Sequence, residues 1–187
     1  MLSIREAKKS DNFNDIIKLI YETDNYIYPS MCGGNYELFE KIMQNLIIED
    51  NLFSFKNMII ACEDDKVVGL LLYLDNKAKL PSKQHDSFDL VISDYFSDLI
   101  KKIDGNHIYI NNLCVDRDYR NMGIGTKLVD YLFRMLDSKN IFFDCLEDNI
   151  VAVNFYKKIG FDITDRCPGF AGSETEQVSC LKFEWKK

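Results

Sequence analysis

Residues 113–126 limit what this chain can fold into more than any other part of the sequence. They join an apolar strand at 108–115 to a helix through a polar loop carrying Arg120-x-x-Gly123-x-Gly125. Glycine lets the backbone turn sharply and lets a ligand approach the amide N–H groups closely. The first N–H groups of a helix have no partner inside it, and the helix dipole adds partial positive charge there. The stretch therefore predicts an anion cradle, most often for phosphate, with the planar donors of Arg120 beside it.

The helix that follows the loop is amphipathic. Its apolar residues recur at helical spacing on one face. They are Leu128, Val129, Leu132, Phe133 and Leu136. A strand, a glycine loop and a buried helix in this order indicate an α/β fold.

Two other interpretations of the loop have to be weighed. Two glycines alone are equally compatible with an ordinary strand-to-helix turn. A Walker loop is excluded because no Gly-Lys-Ser/Thr follows. A dinucleotide-binding fingerprint is an alternative, since Asp144 lies 19 residues after Gly125, near where a ribose-binding acid would stand. Its third glycine is missing, however, and Leu128 occupies that place.

A second pattern downstream favours one of these interpretations of the loop. It reads Asn149-x-x-Ala152-x-x-x-Tyr156-x-x-x-Gly160-Phe161. Together, the two patterns resemble the GNAT superfamily of acyl-CoA-dependent N-acyltransferases, in which the first is the pyrophosphate loop. The matched positions cover about residues 108–161. Both motifs are specific for fold and cofactor, and they say little about the acceptor.

The resemblance implies a fold, a cosubstrate and a set of site residues. The fold is α/β, with a mixed, mostly antiparallel central sheet, a splayed pair of parallel strands, and helices on both faces. The cosubstrate is acetyl-CoA, with no metal. Tyr156 is the expected general acid that protonates the leaving thiolate, and the backbone N–H of Val115 is the expected oxyanion donor. The expected cofactor contacts are Leu113, Val115, Arg120, Asn121, Gly123, Gly125, Thr126, Asn149 and Asn154.

The strand at 108–115 changes phase. Ile108 and Ile110 alternate in one phase and Leu113 and Val115 in the other, with the slip at Asn111-Asn112. A one-residue slip is what a β-bulge produces, although a strand buried on both faces would give the same pattern. In the family such a bulge helps to separate this strand from its neighbour, where the cofactor's pantetheine arm enters.

The expected catalytic base is missing from this strand. Many relatives place a carboxylate there, whereas this chain has Tyr109, Asn111 and Asn112. Either a water relays the proton to a carboxylate elsewhere, with Glu22 and Asp24 as candidates, or desolvation lowers the pKa of the amine itself. The missing acid leaves a non-catalytic acyl-CoA-binding module as the alternative function, with a dehydrogenase third.

Composition bounds the remaining classes. The 187 residues, 47% of them hydrophobic, predict one domain spanning 1–187. No apolar run approaches the roughly 20 residues of a membrane span, and the charged N-terminus is not that of a signal peptide. Six cysteines without a Cys-x-x-Cys pair predict free thiols in a reducing, cytoplasmic compartment. Two histidines do not predict a metal site. Oligomeric state stays open between monomer and homodimer.

The charge distribution bears on partners. A net charge of −7 argues against nucleic acid. Residues 1–107 hold 18 acids and 12 bases, a charge of −6, while residues 108–187 hold 12 acids and 11 bases, a charge of −1. If the first part supplies the acceptor site, a cationic small-molecule or peptide amine is attracted there. The alternative is that the acidic residues serve solubility alone.

The rest of the chain gives an ordinary element order with one addition. Strands are predicted at 3–7, 58–62, 67–73, 141–146, 161–164 and 178–183, and helices after a cap at Ser10 or Asp11 and over a second segment near 38–46. Residues 25–36 are expected to form an aromatic loop. Segment 76–107, too long for a simple connection, is predicted to be an inserted helical element that forms one wall of the acceptor site.

Overall fold

One mixed sheet of seven strands organises the structure. The computed structural model describes residues 1–136, 140–169 and 178–186, apart from the side chain of Asp94. The strand order across the sheet is β1-β2-β3-β4-β5-β7-β6. The strands are β1 (Leu2–Glu6), β2 (Met58–Glu63), β3 (Lys66–Leu74), β4 (His107–Val115), β5 (Asn140–Leu146), β6 (Asp162–Gly169) and β7 (Val178–Trp185).

Neighbouring strands run antiparallel except for β4 and β5, which are parallel. This confirms the predicted mixed, mostly antiparallel sheet. A parallel pair needs a long crossover, and here the helix after the glycine loop supplies it. The sequence-predicted strands all exist, with ends that differ by one to a few residues.

Seven α-helices flank the sheet in the described parts of the chain. They are α1 (Phe13–Tyr21), α2 (Ile27–Met31), α3 (Tyr36–Leu46), α4 (Asp86–Val91), α5 (Ser97–Lys102), α6 (Ile124–Met135) and α7 (Ile150–Lys158). Helix α6 packs on β1 to β4, α1 packs on β3 and β4, and α7 packs on β5. Every residue of β3 from Val67 to Leu72 is buried, as expected for a strand covered on both faces.

The first helix is capped by Asn12, one residue after the predicted Ser10 or Asp11. The Asn12 Oδ1 accepts a hydrogen bond from the N–H of Asn14 at 3.1 Å. Asp11 cannot serve as the cap because its carboxylate takes two hydrogen bonds from Arg5, at 2.7 and 2.8 Å. The prediction of the cap was therefore wrong by one or two residues, and the ion pair is the reason.

The aromatic segment 25–36 contains a helix where a loop was expected. Pro29 lies in the first turn of α2, where its missing N–H would have had no partner inside the helix. Proline therefore marks the beginning of this helix and does not break it. The turn buries Tyr28 and Met31.

The inserted segment is ordered and helical, as predicted. Helices α4 and α5 are joined by a π-helical turn at Ile92–Phe96. Phe88 and Phe96 are fully buried and pack against Phe53, with ring centroids 6.2 and 5.9 Å apart. The insertion is thus anchored in the main core.

Strand β6 is longer than the sequence pattern suggested. Pro168 and Gly169, expected in the connection to the last strand, pair with Ser179 and Val178. Proline is tolerated because β6 is at the edge of the sheet, where a missing N–H breaks no interior ladder. Gly172, also expected in that connection, lies outside the described residues.

All six cysteines are free, four of them buried, which confirms the predicted free thiols. Among the described helices, none is both long and apolar enough to cross a membrane.

Candidate active site

The central feature of the candidate site is a gap between β4 and β5. The two strands pair only over His107–Tyr109 and Asn140–Phe142. Beyond these residues, β4 continues to Val115 and β5 to Leu146 without pairing to each other. A splayed parallel pair leaves unpaired backbone groups facing the space between the strands.

The bulge predicted for β4 is present at Asn111. On β3 the successive residues Leu72 and Tyr73 pair with Asn112 and Ile110, so Asn111 is the extra residue. A bulge bends its strand and increases the local twist. It lies two residues beyond the last β4–β5 pair, which places it where the strands begin to separate.

The backbone of β4 beyond the bulge is directed into the gap. The N–H of Asp116 bonds to the carbonyl of Val68 on β3 at 3.0 Å. Successive residues of a strand direct their backbone groups to opposite sides. The N–H and C=O of Val115, and those of Leu113 two residues earlier, therefore point away from β3 and toward β5.

A cavity of about 120 Å³ fills this gap, and we name it the inner chamber. It is bounded by the segment before and within α2, the insertion, both splayed strands and α7. The lining side chains that matter for chemistry are Asp24, Tyr28, Tyr95, Tyr109, Asn111, Asn112, Asp144, Cys145, Asn149 and Tyr156. Tyr95 and Phe96 of the insertion line the chamber, and the role of the insertion as a wall of the acceptor site stays a prediction.

Tyr156 reaches the chamber from one face of the sheet. Its ring lies 4.1 Å from the Phe143 ring and 5.5 Å from the Phe183 ring, measured between centroids. Burial, with smaller contributions from the thiols of Cys145 and Cys114, raises the pKa of Tyr156 above its ordinary value of 10. The phenol therefore keeps its proton at neutral pH.

Asp144 reaches the same chamber from the opposite face. It neighbours Phe143 and Cys145 on β5, and alternate residues of a strand point to opposite faces. Its Oδ1 lies 3.9 Å from the Cys167 sulfur, and no ion pair engages it within the described ranges. Burial raises the pKa of Asp144 above its ordinary value of 3.8, against a weaker lowering by Lys182.

The sequence had pointed to Asp144 only as a possible ribose-binding acid of a dinucleotide site. The signal that was missed is strand parity: a charged residue between the apolar Phe143 and Cys145 faces the side opposite to them. Because β4 carries no acid in the gap, an acid on β5, the strand across the gap, is the nearest alternative. Asp144 is thus a candidate base that sequence reasoning did not identify.

Of the two carboxylates that were proposed as remote bases, only Asp24 lines the chamber. Its Oδ1 accepts hydrogen bonds from the N–H groups of Tyr26 and Ile27, at 2.7 and 2.5 Å. Burial raises the pKa of Asp24, while these two hydrogen bonds lower it. Glu22 does not line the chamber, and its Oε1 lies 3.9 Å from the Lys18 Nζ on α1.

The two asparagines of β4 form a fixed network and not a base. The Tyr28 hydroxyl donates to Asn112 Oδ1 at 3.0 Å, and the Asn111 amide donates to the same oxygen at 2.9 Å and to the Tyr28 oxygen at 3.2 Å. The Asn112 Nδ2 is buried and has no partner among the described atoms. Next to this network, the hydroxyls of Tyr95 and Tyr109 lie 3.3 Å apart.

The glycine loop has the geometry of an anion cradle. Asn121 and Gly123 are both left-handed, with φ of 63° and 73°, which turns the backbone onto the N-terminus of α6. A Cβ at Gly123 would meet no atom within 4 Å, so the space beside it is open. The Arg120 Nε donates to the Val115 carbonyl at 3.1 Å and ties the loop to the end of β4.

Gly125 has a packing role that the sequence did not reveal. A Cβ there would lie 3.2 Å from the ring of Phe155 on α7. The glycine therefore lets α6 and α7 approach closely on one side of the gap. Thr126, the next residue of α6, is half-buried.

The other expected cofactor contacts fall into two groups. Leu113 and Asn149 line the inner chamber, and the Asn149 Oδ1 also caps α7 by accepting from the N–H of Ala152 at 3.2 Å. Asn154 lies on the exposed surface of α7 and is not part of the chamber wall. The described side chains include no cluster of three that could hold a metal ion.

The donors of this site fit a phosphate-bearing cosubstrate with a narrow arm. The free N–H groups at the start of α6 and the open space at Gly123 suit a pyrophosphate, and the unpaired edge of β4 suits an amide-containing arm. The same arrangement leaves the inner chamber at the end of that arm.

Comparisons with known proteins agree with this geometry. A family model described as "Acetyltransferase (GNAT) family" matches residues 20–161. The chain is 27% identical over 131 residues, 64% of its own length and 71% of the relative's, to naa20, the catalytic subunit of the N-terminal acetyltransferase B complex of Schizosaccharomyces pombe.

Solved structures show the same fold. An N-acetyltransferase from Staphylococcus aureus Mu50 superposes with a TM-score of 0.70 at 21% identity, covering 98% of this chain and 100% of the other. Arabidopsis thaliana Naa50, in complex with the bisubstrate analogue CoA-Ac-MVNAL, superposes with a TM-score of 0.57 at 19% identity, covering 97% of each chain.

Proposed function

The chain belongs to the GNAT family of acyl-CoA-dependent N-acetyltransferases, and on this premise we propose that it moves the acetyl group of acetyl-CoA directly onto a primary amine, with Tyr156 as general acid and Asp144 as general base. The observation that carries the proposal is that these two side chains line one chamber from opposite faces of the sheet. The acetyl-CoA supplies the activated acyl group. This chain's residues bind it, orient the amine and move protons.

The amine has to be uncharged to attack. An alkyl amine with a pKa of about 10.4 is neutral in only about one molecule in a few thousand at pH 7. A carboxylate at the reacting nitrogen must therefore remove a proton. Because burial raises the pKa of Asp144, it is a stronger base than an exposed aspartate.

Asp144 is better suited to this role than Asp24. Asp24 already accepts two short backbone hydrogen bonds, which stabilise its ionised form and weaken it as a base. Asp144 has no such backbone donors. We assign to Asp24 the attraction of the protonated amine into the chamber.

The electron flow is balanced by residues on either side of the gap. Asp144 first takes one proton from the ammonium group, and the neutral nitrogen then forms a bond to the thioester carbonyl carbon. The charge that develops on the carbonyl oxygen meets a backbone N–H of the splayed β4 edge, for which we propose Val115. When the carbon–sulfur bond breaks, Tyr156 protonates the departing thiolate. The second proton of the nitrogen returns to Tyr156, and the proton held by Asp144 is released to solvent.

The proposed cofactor contacts come from the glycine loop, from β4 and from α7. The loop residues Arg120, Asn121, Gly123 and Thr126 surround the pyrophosphate, Leu113 and Val115 face the arm, and Asn149 and Asn154 contribute from α7. Gly125 allows α7 to close against the loop. These assignments are supported by the loop's left-handed turn and by the direction of the β4 backbone.

We propose a cationic acceptor, either a small molecule or a peptide or protein amine. Two carboxylates line the chamber without an ion-pair partner in the described chain, and tyrosine rings lie beside them. Ring faces and carboxylates both attract ammonium groups. The relative naa20 is the catalytic subunit of an N-terminal acetyltransferase complex, and Naa50 binds the bisubstrate analogue CoA-Ac-MVNAL. We further propose that residues 1–187 act as one domain, as a monomer or homodimer, in the cytoplasm.

An amine panel with acetyl-CoA tests this function. Free thiol release would be measured for cationic, neutral and acidic acceptors of similar size, including small amines and short peptides. We expect acceptor-dependent thiol release, with cationic primary amines fastest. Tight acetyl-CoA binding without thiol release for any amine would overturn the proposal.

A further inference from the structure

A second cavity adjoins the inner chamber, and we name it the outer pocket. Its volume is about 70 Å³. It shares five residues with the inner chamber, namely Asp24, Ile27, Tyr95, Asp144 and Leu146. We call these five the waist, because any group passing between the two spaces has to pass them.

The outer pocket lies on the acceptor side of the sheet. Its other lining residues are Cys167, Pro168 and Cys180. Cys167 on β6 pairs directly with Cys180 on β7, so their side chains face the same side of the sheet. The Cys167 sulfur lies 3.9 Å from Asp144 Oδ1, so this is the face that bears Asp144. It is opposite to the face from which Tyr156 enters.

Tyr95 is the part of the waist that the insertion supplies. It belongs to the π-helical turn between α4 and α5. Its hydroxyl lies 3.3 Å from that of Tyr109, and its ring meets the buried Phe96 ring edge-on with centroids 4.9 Å apart. Phe96 in turn packs against Phe53 in the core. The Tyr95 ring is therefore held in place and limits the width of the waist.

The chemistry changes from the waist outward. At the waist, Asp24 and Asp144 offer carboxylates to an ammonium group. Beyond it, the outer pocket offers Pro168 and two thiols. Methylene groups suit such walls, whereas the carbonyl and N–H next to a peptide α-amine would need hydrogen-bond partners there.

Building on the acetyl transfer proposed above, we propose that the waist selects a primary amine at the end of an unbranched aliphatic chain, and that Tyr95 is the residue that excludes branching. The ammonium is drawn between the two carboxylates, the nitrogen reaches the thioester, and the chain lies in the outer pocket. A substituent on the carbon that bears the nitrogen meets the Tyr95 ring.

The test compares n-butylamine with sec-butylamine, which have the same charge and atoms and differ only in branching. One misplaced methyl group in a fitted site costs about 10–200-fold in kcat/KM. We expect the wild type to prefer n-butylamine by a factor in this range. For a short peptide with a free α-amine and no other amine, we expect a kcat/KM as low as that for sec-butylamine.

Variants of Tyr95 test whether its ring causes the preference for n-butylamine over sec-butylamine. Tyr95→Ala is expected to bring the ratio of the two kcat/KM values close to one, mainly through a lower KM for sec-butylamine. Tyr95→Leu, which keeps apolar packing, is expected to reduce the ratio as well, and serves if the alanine variant does not fold. Tyr95→Phe keeps the ring and is expected to keep the ratio. Tyr73→Ala, a half-buried tyrosine on β3 outside both cavities, is the control for a general loss of stability.

The outcomes separate this inference from the function on which it rests. A wild-type ratio near one, a ratio unchanged in both Tyr95→Ala and Tyr95→Leu, or a peptide α-amine acetylated faster than n-butylamine would overturn the inference and leave acetyl transfer standing. No acetylation of any amine by protein that binds acetyl-CoA would overturn the proposed function itself.

Discussion

At the scale of single residues, Tyr156 and Asp144 carry the proposed proton transfers. Tyr156→Phe keeps the ring that packs on Phe143 and removes the proton. We expect turnover to fall about 10²–10⁴-fold, the range for a lost general acid, with little change in acetyl-CoA affinity. Tyr131→Phe, at a half-buried tyrosine of α6 that does not line the inner chamber, is the matched control and should leave turnover unchanged. Near-normal turnover of Tyr156→Phe in a single-turnover experiment would leave this tyrosine with a packing role only.

Asp144→Asn is expected to stabilise the folded protein at neutral pH while it slows acetyl transfer. Burial raises the pKa of Asp144, so between the unfolded and folded pKa values the folded protein holds a proton that the unfolded chain has lost. The stability linked to this group is therefore fully present below the unfolded pKa and is lost as the pH rises through the folded pKa. At pH 7 the half-buried carboxylate opposes folding, and the neutral amide removes that effect.

Urea unfolding of Asp144→Asn and wild type at pH 7, and again below pH 3.8, checks this. The variant should be the more stable of the two at pH 7, and the difference should shrink in acid. Asp148→Asn, exposed in the turn after β5, should alter neither stability nor activity. Equal stability of wild type and Asp144→Asn at pH 7 would show that burial does not raise the pKa of Asp144 in the folded protein.

At this scale the sequence predicted residues within motifs better than residues outside them. Tyr156 and Asn149 stand at motif positions, and both line the inner chamber. Asp144 belongs to no motif. Its importance depends on which strand lies across the gap and which face it presents, and both follow from tertiary pairing.

At the scale of elements, the glycine loop and the bulge define the site. The bulge could be predicted because a two-residue period that slips by one leaves a visible trace in β4. The helix α2 could not, since Pro29 and two glycines within 25–36 are typical of loops, and the turn becomes stable only by burying Tyr28 and Met31. Tertiary burial overrides such local signals.

Two glycine variants separate a cofactor role from backbone strain. Gly123 and Gly160 both have positive φ, 73° and 100°, and a Cβ at either would meet no atom within 4 Å. Alanine in a left-handed conformation costs about 1–2 kcal/mol at either position. Only Gly123→Ala places its methyl group beside the proposed pyrophosphate site, so only this variant should bind acetyl-CoA more weakly.

Calorimetry of acetyl-CoA binding and urea unfolding of both variants checks this prediction. Gly160→Ala should lose stability and keep its affinity. If Gly123→Ala bound acetyl-CoA as tightly as the wild type, the loop would not be the pyrophosphate site.

At the scale of the whole molecule, charge and topology distinguish the two sides of the proposed site. The sheet divides the proposed site into a proposed cofactor side, with α6 and α7, and a proposed acceptor side, with the α1–α2 segment and the insertion. The net negative charge is concentrated in 1–107, with −6 against −1 for 108–187, and this part supplies Asp24 and Tyr95 to the inner chamber. The sequence predicted this division from charge counts and element order. It could not predict the inner chamber, which arises only where five segments meet.

This charge distribution predicts a salt effect on acceptor use. For a cationic acceptor we expect kcat/KM to fall as ionic strength rises, because exposed charges beyond about 10 Å are screened at 0.1 M salt. For a neutral acceptor the same salt series should change kcat/KM little. Equal salt dependence for both would indicate that the acidic surface serves solubility alone.

Direct transfer within one chamber is tested most directly by a rapid-quench single turnover with acetyl-CoA bound and a cationic primary amine added. The structure predicts that free thiol and acetylated amine appear at the same rate and in equal amounts, with no acetyl group on the protein at any time. Cys145 and Cys114, close to Tyr156, make the opposite result easy to recognise. Thiol release ahead of the amide, with the acetyl group found on one of these cysteines by mass spectrometry, would contradict direct transfer.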